Sequence, residues 1–329
     1  MTATADVAVQ GPLTEALARI AGAMRETATV PLAHRTLDLH AKLEYANPNG
    51  SSKDRSAYWI LKRGVERGHI TERTTVVESS SGNFALSMAS FCRALGIAFI
   101  PVIDPNVNAS TEAYLRLTCD RVEKVTERDA TGGFLATRLT RVATLRAELP
   151  DVFWPDQYGN PDAVEAHYLL TGGELVRALP RIDYAFIGAG TGGTIGGVSL
   201  RLKEAHPRVR VVAVDAEGSA IFGGAPKTRR IPGLGSSIVP PLIHRASVDD
   251  VVLVSEPDTV RGCHDLLREH GLYAGGSTGT VYSALTRYFA GHTGSRPTVV
   301  FLAADRGTAY ADTVYNPAWA ATLLDPVPA

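Results

Sequence analysis

Three segments of this chain share one grammar: a short apolar run, a turn that is glycine-rich in the first two, then apolar residues at helical spacing. In the first, Thr75–Glu78 leads into Ser79-Ser80-Ser81-Gly82-Asn83. Phe84, Met88, Phe91, Cys92 and Leu95 then mark one helix face, and Gly96 is placed to stop it. In the second, Tyr184–Ile187 precedes Gly188–Gly193, a helix through Glu204 and a further strand over Val209–Val214. The third runs from Val251–Val254 into a helix between Asp258 and Glu269, and Ile97–Ile103 and Val299–Leu302 read as buried strands. Strands alternating with helices of this length predict an α/β fold with parallel-rich sheets flanked by helices. A length of 329 residues suits one large or two joined domains. No repeat, low-complexity block or proline-rich linker divides the chain, so two domains would have to be interwoven.

Composition removes several classes of function. Hydrophobic residues make up 45% and charged residues 20%, ordinary values for a chain with a packed core. Lys plus Arg number 33 against 34 Asp plus Glu, so no global field favours nucleic acid or an anionic membrane. Cys92, Cys119 and Cys263 lie far apart without a CxxC pair. That argues against a disulfide framework or a cysteine zinc site and for a reducing, cytoplasmic setting. The longest apolar runs, Ile97–Ile103 and Val299–Ala304, are about a third of a bilayer-spanning helix. The N-terminus, with Asp6 and Glu15, lacks the basic start and apolar run of a signal peptide. The nine histidines show no HxH, HxxxH or HExxH spacing, so no metal is expected, and His264 and His270 read as helix-surface residues.

Three motifs carry chemistry, each ambiguous alone. Asn47-Pro48-Asn49-Gly50-Ser51-Ser52-Lys53-Asp54-Arg55 runs from turn formers into a helix, placing Lys53 near its positive end. An ammonium there is disfavoured, which suits a Schiff-base lysine; the alternative is a solvated turn residue. Gly188, Gly190 and Gly193 fit GxGxxG, with Asp215 ending the next strand, as in a dinucleotide fingerprint. The physical content of that motif is broader, since glycine N–H groups at a helix start bind any phosphate, and Thr191 and Thr194 add hydroxyl donors. Gly275-Gly276-Ser277-Thr278-Gly279 matches a hydrolase nucleophile elbow, which needs an acid and then a histidine downstream. The last histidine, His292, precedes both Asp305 and Asp312, so the order fails.

Together, and in this order, the segments resemble the pyridoxal-phosphate enzymes of the tryptophan-synthase-β/cysteine-synthase family, over about Ala41 to Tyr315. The resemblance implies their two-domain fold type II. Residues 1–52 and 157–329 would form a large cofactor-binding domain, and residues 53–156 a smaller, mobile substrate-binding domain. It implies that Lys53 carries pyridoxal 5'-phosphate and serves as the catalytic base. Gly190, Thr191, Gly192, Gly193 and Thr194 would cup the phosphate, Asn83 would meet the 3'-oxygen and Ser277 would face the pyridine nitrogen. Ser80, Ser81, Gly82, Asn83 and Gln157 would bind the substrate, with Ser236 and Ser237 as further contacts beside Arg229 and Arg230. A neutral hydroxyl at Ser277 would not hold the pyridine nitrogen protonated.

Within the family, five segments are closer to the N-(2-amino-2-carboxyethyl)-L-glutamate synthases of siderophore and diaminopropionate-antibiotic pathways. They are Ala41–Tyr45, Glu78–Asn83, Val212–Ala216, Ile231–Ser237 and Asp305-Arg306-Gly307. The sequence departs from cysteine synthases at Phe84-Ala85, where Thr-Gly is usual, and around Thr29-Val30-Pro31, which lacks their opening motif. The resemblance thus implies a β-replacement between O-phospho-L-serine and L-glutamate through an aminoacrylate, in a homodimer acting on small amino acids. Competing readings are cysteine synthase, cystathionine β-synthase, an NAD-dependent oxidoreductase drawn from Gly188–Asp215, and a silent scaffold on the same fold.

Overall fold

The structure, a computed structural model, describes residues 11–130 and 132–324. In chain order its strands are β1 (Thr29–Leu32), β2 (Asp38–Lys42), β3 (Thr75–Ser79), β4 (Ala98–Ile103), β5 (Glu123–Lys124), β6 (Val152–Phe153), β7 (Tyr184–Gly188), β8 (Arg210–Ala216), β9 (Asp250–Val254) and β10 (Thr298–Leu302). One sheet has the order β1-β2-β10-β7-β8-β9 and the other β5-β4-β3-β6. Among the described residues, β1 against β2 is the single antiparallel pair. The chain therefore opens the larger sheet, builds the smaller one between residues 75 and 153, and returns to complete the first.

The helices are α1 (Pro12–Ala23), α2 (Lys53–Glu66), α3 (Asn83–Leu95), α4 (Ala109–Thr118), α5 (Leu135–Glu148), α6 (Asp162–His167), α7 (Gly173–Ala178), α8 (Gly193–Ala205), α9 (Glu256–His270), α10 (Gly276–Tyr288) and α11 (Pro317–Leu324). Each predicted strand and helix falls on one of these, with ends moved by a residue or two. Gly96 ends α3 in the left-handed region at φ 74, as its position foretold. The central strands are continuous apolar runs because both faces are covered: Val211, Val212, Ala213 and Val214 of β8 are all fully buried.

A single apolar cluster joins Leu13, Leu17 and Ile20 of α1 to Ile60 of α2 and to Met88 and Phe91 of α3, so α1 lies on the helices flanking the smaller sheet. Close approach of α8 to α6 requires glycine at Gly197, where a Cβ would stand 2.3 Å from the Val164 carbonyl oxygen. Between α6 and α7, Tyr168–Gly172 forms one π-helical turn. One expectation needs correcting. His270 is not a surface residue: its side chain is only 5% exposed and its Nε2 pairs with the Tyr282 hydroxyl at 3.0 Å. The amphipathic spacing of α9 did not reveal this, because the partner comes from α10.

Candidate active site

Four helices, α2, α3, α8 and α10, begin at one cavity of about 700 Å³. Helix N-termini present unpaired N–H groups and the positive end of the dipole, so their convergence favours an anionic occupant. Around this cavity stand Lys53, Ser80, Ser81, Gly82, Asn83, Gln157, Gly190, Thr191, Gly192, Thr194, Ser236, Ser237 and Ser277. Gly193 opens α8 just behind the rest, packed on Ala163. Every residue that the resemblance assigns to cofactor or substrate is thus brought to one place.

Lys53 is the first residue of α2 and half-buried at the cavity wall. Burial lowers its proton affinity below that of an ordinary lysine, and the charge of Asp305 opposes the shift. Asp305, in the loop after β10, is only 3% exposed and accepts three hydrogen bonds. Asn83 Nδ2 donates at 2.9 Å, Ser277 Oγ at 2.9 Å and the Tyr310 hydroxyl at 3.0 Å. Burial raises the Asp305 carboxyl, while Asn83, Ser277, Tyr310 and Lys53 pull it down. Ser277 therefore has a carboxylate partner and no histidine, which disposes of the hydrolase geometry as well as its chain order.

The glycine turn at the start of α8 is shaped by contact rather than by flexibility. Gly192 has φ +94, and a Cβ there would meet Ile243 N at 2.6 Å and Leu242 C at 2.7 Å. Thr194 Oγ1 pairs with His167 Nε2 at 3.1 Å, and His167 Nδ1 pairs with Thr171 Oγ1 at 3.0 Å. Burial depresses His167 to about 3, Lys53 and Arg55 adding to the effect and Glu44 opposing it, so this imidazole is neutral at physiological pH. Asp215 is fully buried at the end of β8, out of reach of a ribose, which removes the structural basis of the dinucleotide reading.

Behind His167 lies a buried ionic cluster. Glu174 accepts from Lys42 Nζ at 2.6 Å, Arg55 Nη2 at 2.7 Å and the Thr27 N–H at 3.2 Å, and Arg55 also pairs with Glu44 at 3.2 Å. Lys42 and Glu44 are fully buried and Arg55 is 1% exposed. Because Arg55 is two residues past Lys53, the cluster anchors the first turn of α2.

Behind the Ser80–Asn83 turn, Glu78 of β3 is fully buried; its Oε1 accepts from Ser79 N at 2.7 Å and its Oε2 from Gln157 N at 3.2 Å. Burial pushes Glu78 up to about 8, with Asp156 adding to the shift. The Ser81 hydroxyl is already engaged: it donates to Asp104 Oδ2 at 3.0 Å and accepts from Arg138 Nη1 at 3.0 Å. Phe84 is 2% exposed and lines the cavity, so it does point inward. Asp104, Arg138, Glu78, His167 and Tyr310 escaped the sequence analysis. Each sits on an element whose own pattern reads as strand, helix or loop; Glu78 and Asp305 fell in segments carrying the resemblance, but neither was assigned a role there.

A family model described as pyridoxal-phosphate dependent enzyme matches residues 20–305. The chain belongs to that family. It is 43% identical over 291 residues to an N-(2-amino-2-carboxyethyl)-L-glutamate synthase of Ralstonia nicotianae (strain ATCC BAA-1114 / GMI1000), covering 88% of this chain and 86% of that one. Among solved structures it resembles an O-acetylserine dependent cystathionine beta-synthase from Helicobacter pylori, with TM-score 0.81, 26% identity and coverage of 89% and 97%. It also resembles an O-ureido-L-serine synthase, with TM-score 0.82, 25% identity and coverage of 94% and 96%. The residues present fit the family's cofactor. Lys53 offers an amine of lowered proton affinity, and across the cavity a turn too tight for any Cβ at Gly192 presents a helix N-terminus to a phosphate.

Proposed function

We propose that this enzyme joins O-phospho-L-serine to L-glutamate by β-replacement, giving N-(2-amino-2-carboxyethyl)-L-glutamate, a 2,3-diaminopropionate precursor. The observation that carries the reading is the cationic wall of the cavity. Arg128, Arg138, Lys227, Arg229 and Arg230 all line it, beside Ser236 and Ser237. Arg138 pairs with Asp104 at 3.3 Å, yet its Nε has no hydrogen-bond partner among the described residues. A phosphate leaving group carries about two negative charges, and an amino dicarboxylate nucleophile is also anionic, so both call for such donors where an acetyl group or sulfide does not. The name of the Ralstonia relative supports the same choice.

In this reading Lys53 Nζ would hold the cofactor and, once released, would take the Cα proton of the bound amino acid; burial lowers its proton affinity below that of an ordinary lysine. Pyridoxal phosphate supplies the electron sink for that proton loss. Gly190–Thr194 would hold the phosphate, Asn83 the 3'-oxygen and Ser277 the ring nitrogen. The start of α3, with Ser80–Asn83 and Gln157, holds the substrate carboxylate. Ser80 is suited to donate, since its Oγ accepts from Ala85 N at 3.2 Å and keeps its proton available, whereas the Ser81 hydroxyl is spent on Asp104.

Ser80–Asn83 belong to the smaller sheet and Gly190–Thr194 to the larger, which supports reading residues 53–156 as a domain that closes over substrate and excludes water. Reduced, buried Cys92, Cys119 and Cys263 suit a cytoplasmic enzyme; a homodimer and a siderophore or antibiotic pathway follow from the resemblance. Replacing Ser236 and Ser237 with alanine tests the donor site. Loss of hydrogen bonds to a charged group costs about 1.5–3 kcal/mol each, roughly 10- to 100-fold in turnover of O-phosphoserine. An equal or smaller loss with O-phosphoserine than with O-acetylserine would count against the phosphate donor.

A further inference from the structure

A turn that offers N–H groups to a carboxylate is weakened by any negative charge fixed behind it. Behind Ser80–Asn83 the fold places an acid. Glu78 is fully buried near the end of β3, where its Oε1 accepts from Ser79 N at 2.7 Å and its Oε2 from Gln157 N at 3.2 Å. Gln157 in turn donates from Nε2 to Ser79 O at 2.9 Å. One carboxyl thus ties Gln157, on the cavity wall, to the strand end that leads into Ser80–Asn83.

Among the described residues no cation pairs with Glu78. Opposite it in the sheet β4 presents Pro101, while β6 is Val152 and Phe153. Helix α3 adds the apolar Phe84 and Met88 to the cluster that holds Val76. Arg138, from α5, pairs with Asp104 at 3.3 Å and donates to Ser81, and Lys53, from α2, faces the charge of Asp305. The titratable groups that bear on Glu78 are Asp156, just past β6, and Tyr158, and neither is a cation. A buried acid without a positive partner is far costlier ionised than neutral. Burial, with Asp156 adding to it, accordingly pushes Glu78 up to about 8.

We infer that the proton on Glu78 and the substrate carboxylate at Ser80–Asn83 are coupled, each favouring the other, with Glu78 as a positioning residue that never touches the substrate. The inference rests on the reading that Ser80–Asn83 and Gln157 take that carboxylate. Neutral, Glu78 holds Gln157 and the turn in place and adds no charge. Ionised, it loses its proton to solvent, grips the same N–H groups more tightly and sets a negative charge against the incoming anion. By reciprocity a bound carboxylate makes Glu78 harder to ionise. Where only the neutral form binds, apparent affinity falls about tenfold per pH unit above about 8.

The test is a binding profile against pH. The holoenzyme is titrated with L-serine, which brings the same α-carboxylate without a phosphate, and binding is read from the cofactor's absorbance across roughly two pH units on either side of 8. Glu78→Gln keeps the size of the group and cannot ionise. In the ratio of wild-type to variant dissociation constants the titration of the ligand amine and of Lys53 cancels. The variant's amide oxygen can accept from only one of the two N–H groups, which offsets the ratio by a constant and leaves its slope alone. The ratio should be level at acid pH and climb by up to about tenfold per pH unit above about 8. A ratio level throughout overturns the inference. Should Glu78→Gln fail to fold, Asp156→Asn serves: it removes a charge that helps raise Glu78, at a residue with φ 48 that asparagine tolerates, and should move the loss of affinity to lower pH. A loss that stays at the wild-type pH overturns the inference equally. Ser80→Ala, read at acid pH, tests the carboxylate site by itself. If L-serine binding is unchanged there, the site is misplaced and the inference falls with it. If binding weakens while the Glu78→Gln ratio stays level, the site stands and the coupling alone falls.

Discussion

Replacing Gly192 with alanine probes the anion cradle without touching a polar side chain. Gly192 has φ +94, and its new methyl would stand 2.6 Å from Ile243 N and 2.7 Å from Leu242 C. Those are backbone atoms of a neighbouring turn and cannot swing aside as a long side chain would. A non-glycine residue in the left-handed region costs about 1–2 kcal/mol, and forced overpacking about 1–3 kcal/mol, together about 2–5 kcal/mol. If the turn keeps its shape without cofactor, the cost lowers the stability of the apoenzyme. If the turn relaxes, the cost is met on binding, because the cradle must be rebuilt around the phosphate. The two losses therefore share one total, and taken wholly as affinity it amounts to about 30-fold to several thousand-fold in Kd. Urea unfolding of the apoenzyme and fluorescence titration with pyridoxal phosphate measure the two parts. An apoenzyme of unchanged stability that also binds cofactor with unchanged affinity would refute the argument that this turn is built for the phosphate.

Lys53→Ala should give a colourless protein without turnover; borohydride reduction of the wild type should trap the cofactor on Lys53, and an adduct on any other lysine would contradict the assignment. Glu174→Ala leaves Lys42 and Arg55 with Glu44 as their remaining carboxylate, and breaking a buried pair of this kind costs about 3–5 kcal/mol in denaturant unfolding. Glu78 is a carboxyl whose folded value, about 8, lies above its ordinary 4.5. Its contribution is therefore fully present at acid pH and is lost as pH rises through about 8. Over that window it removes at most about 5 kcal/mol of stability, and Glu78→Gln should flatten the corresponding slope of unfolding free energy against pH. A variant with the same slope as the wild type would show that the carboxyl is not titrating there.

Strands β3, β4, β7, β8 and β10 were legible because buried parallel strands write themselves as short apolar runs, and the edge strand β9 was legible from the run Val251–Val254 although Val251 and Leu253 are exposed. Strand β2 was not. It reads Asp38-Leu39-His40-Ala41-Lys42, and its Lys42 is fully buried, a choice that makes sense only once Glu174 is seen 2.6 Å away. Strands β5 and β6 are two residues long and carry no period at all. The site divides the same way. Lys53, Ser80–Asn83, Gly190–Thr194 and Ser277 sit at helix starts, where local sequence must supply turn formers and small residues, so each left a motif. Asp305, His167, Glu78 and Arg138 work by contacts across the fold with residues far from them in the chain. No spacing rule records such contacts, and a lone buried carboxyl or imidazole looks in sequence like any surface residue.

The choice of donor and nucleophile is the centre of this account, and one competition decides it. The enzyme loaded with pyridoxal phosphate is given O-phospho-L-serine with L-glutamate and sulfide together, then O-acetyl-L-serine in place of the phosphate donor, and the amino-acid products are weighed by mass spectrometry. The cationic wall of Arg128, Arg138, Lys227, Arg229 and Arg230 predicts N-(2-amino-2-carboxyethyl)-L-glutamate as the main product, formed faster from O-phosphoserine. Cysteine as the main product, formed faster from O-acetylserine, would contradict it and make the enzyme a cysteine synthase.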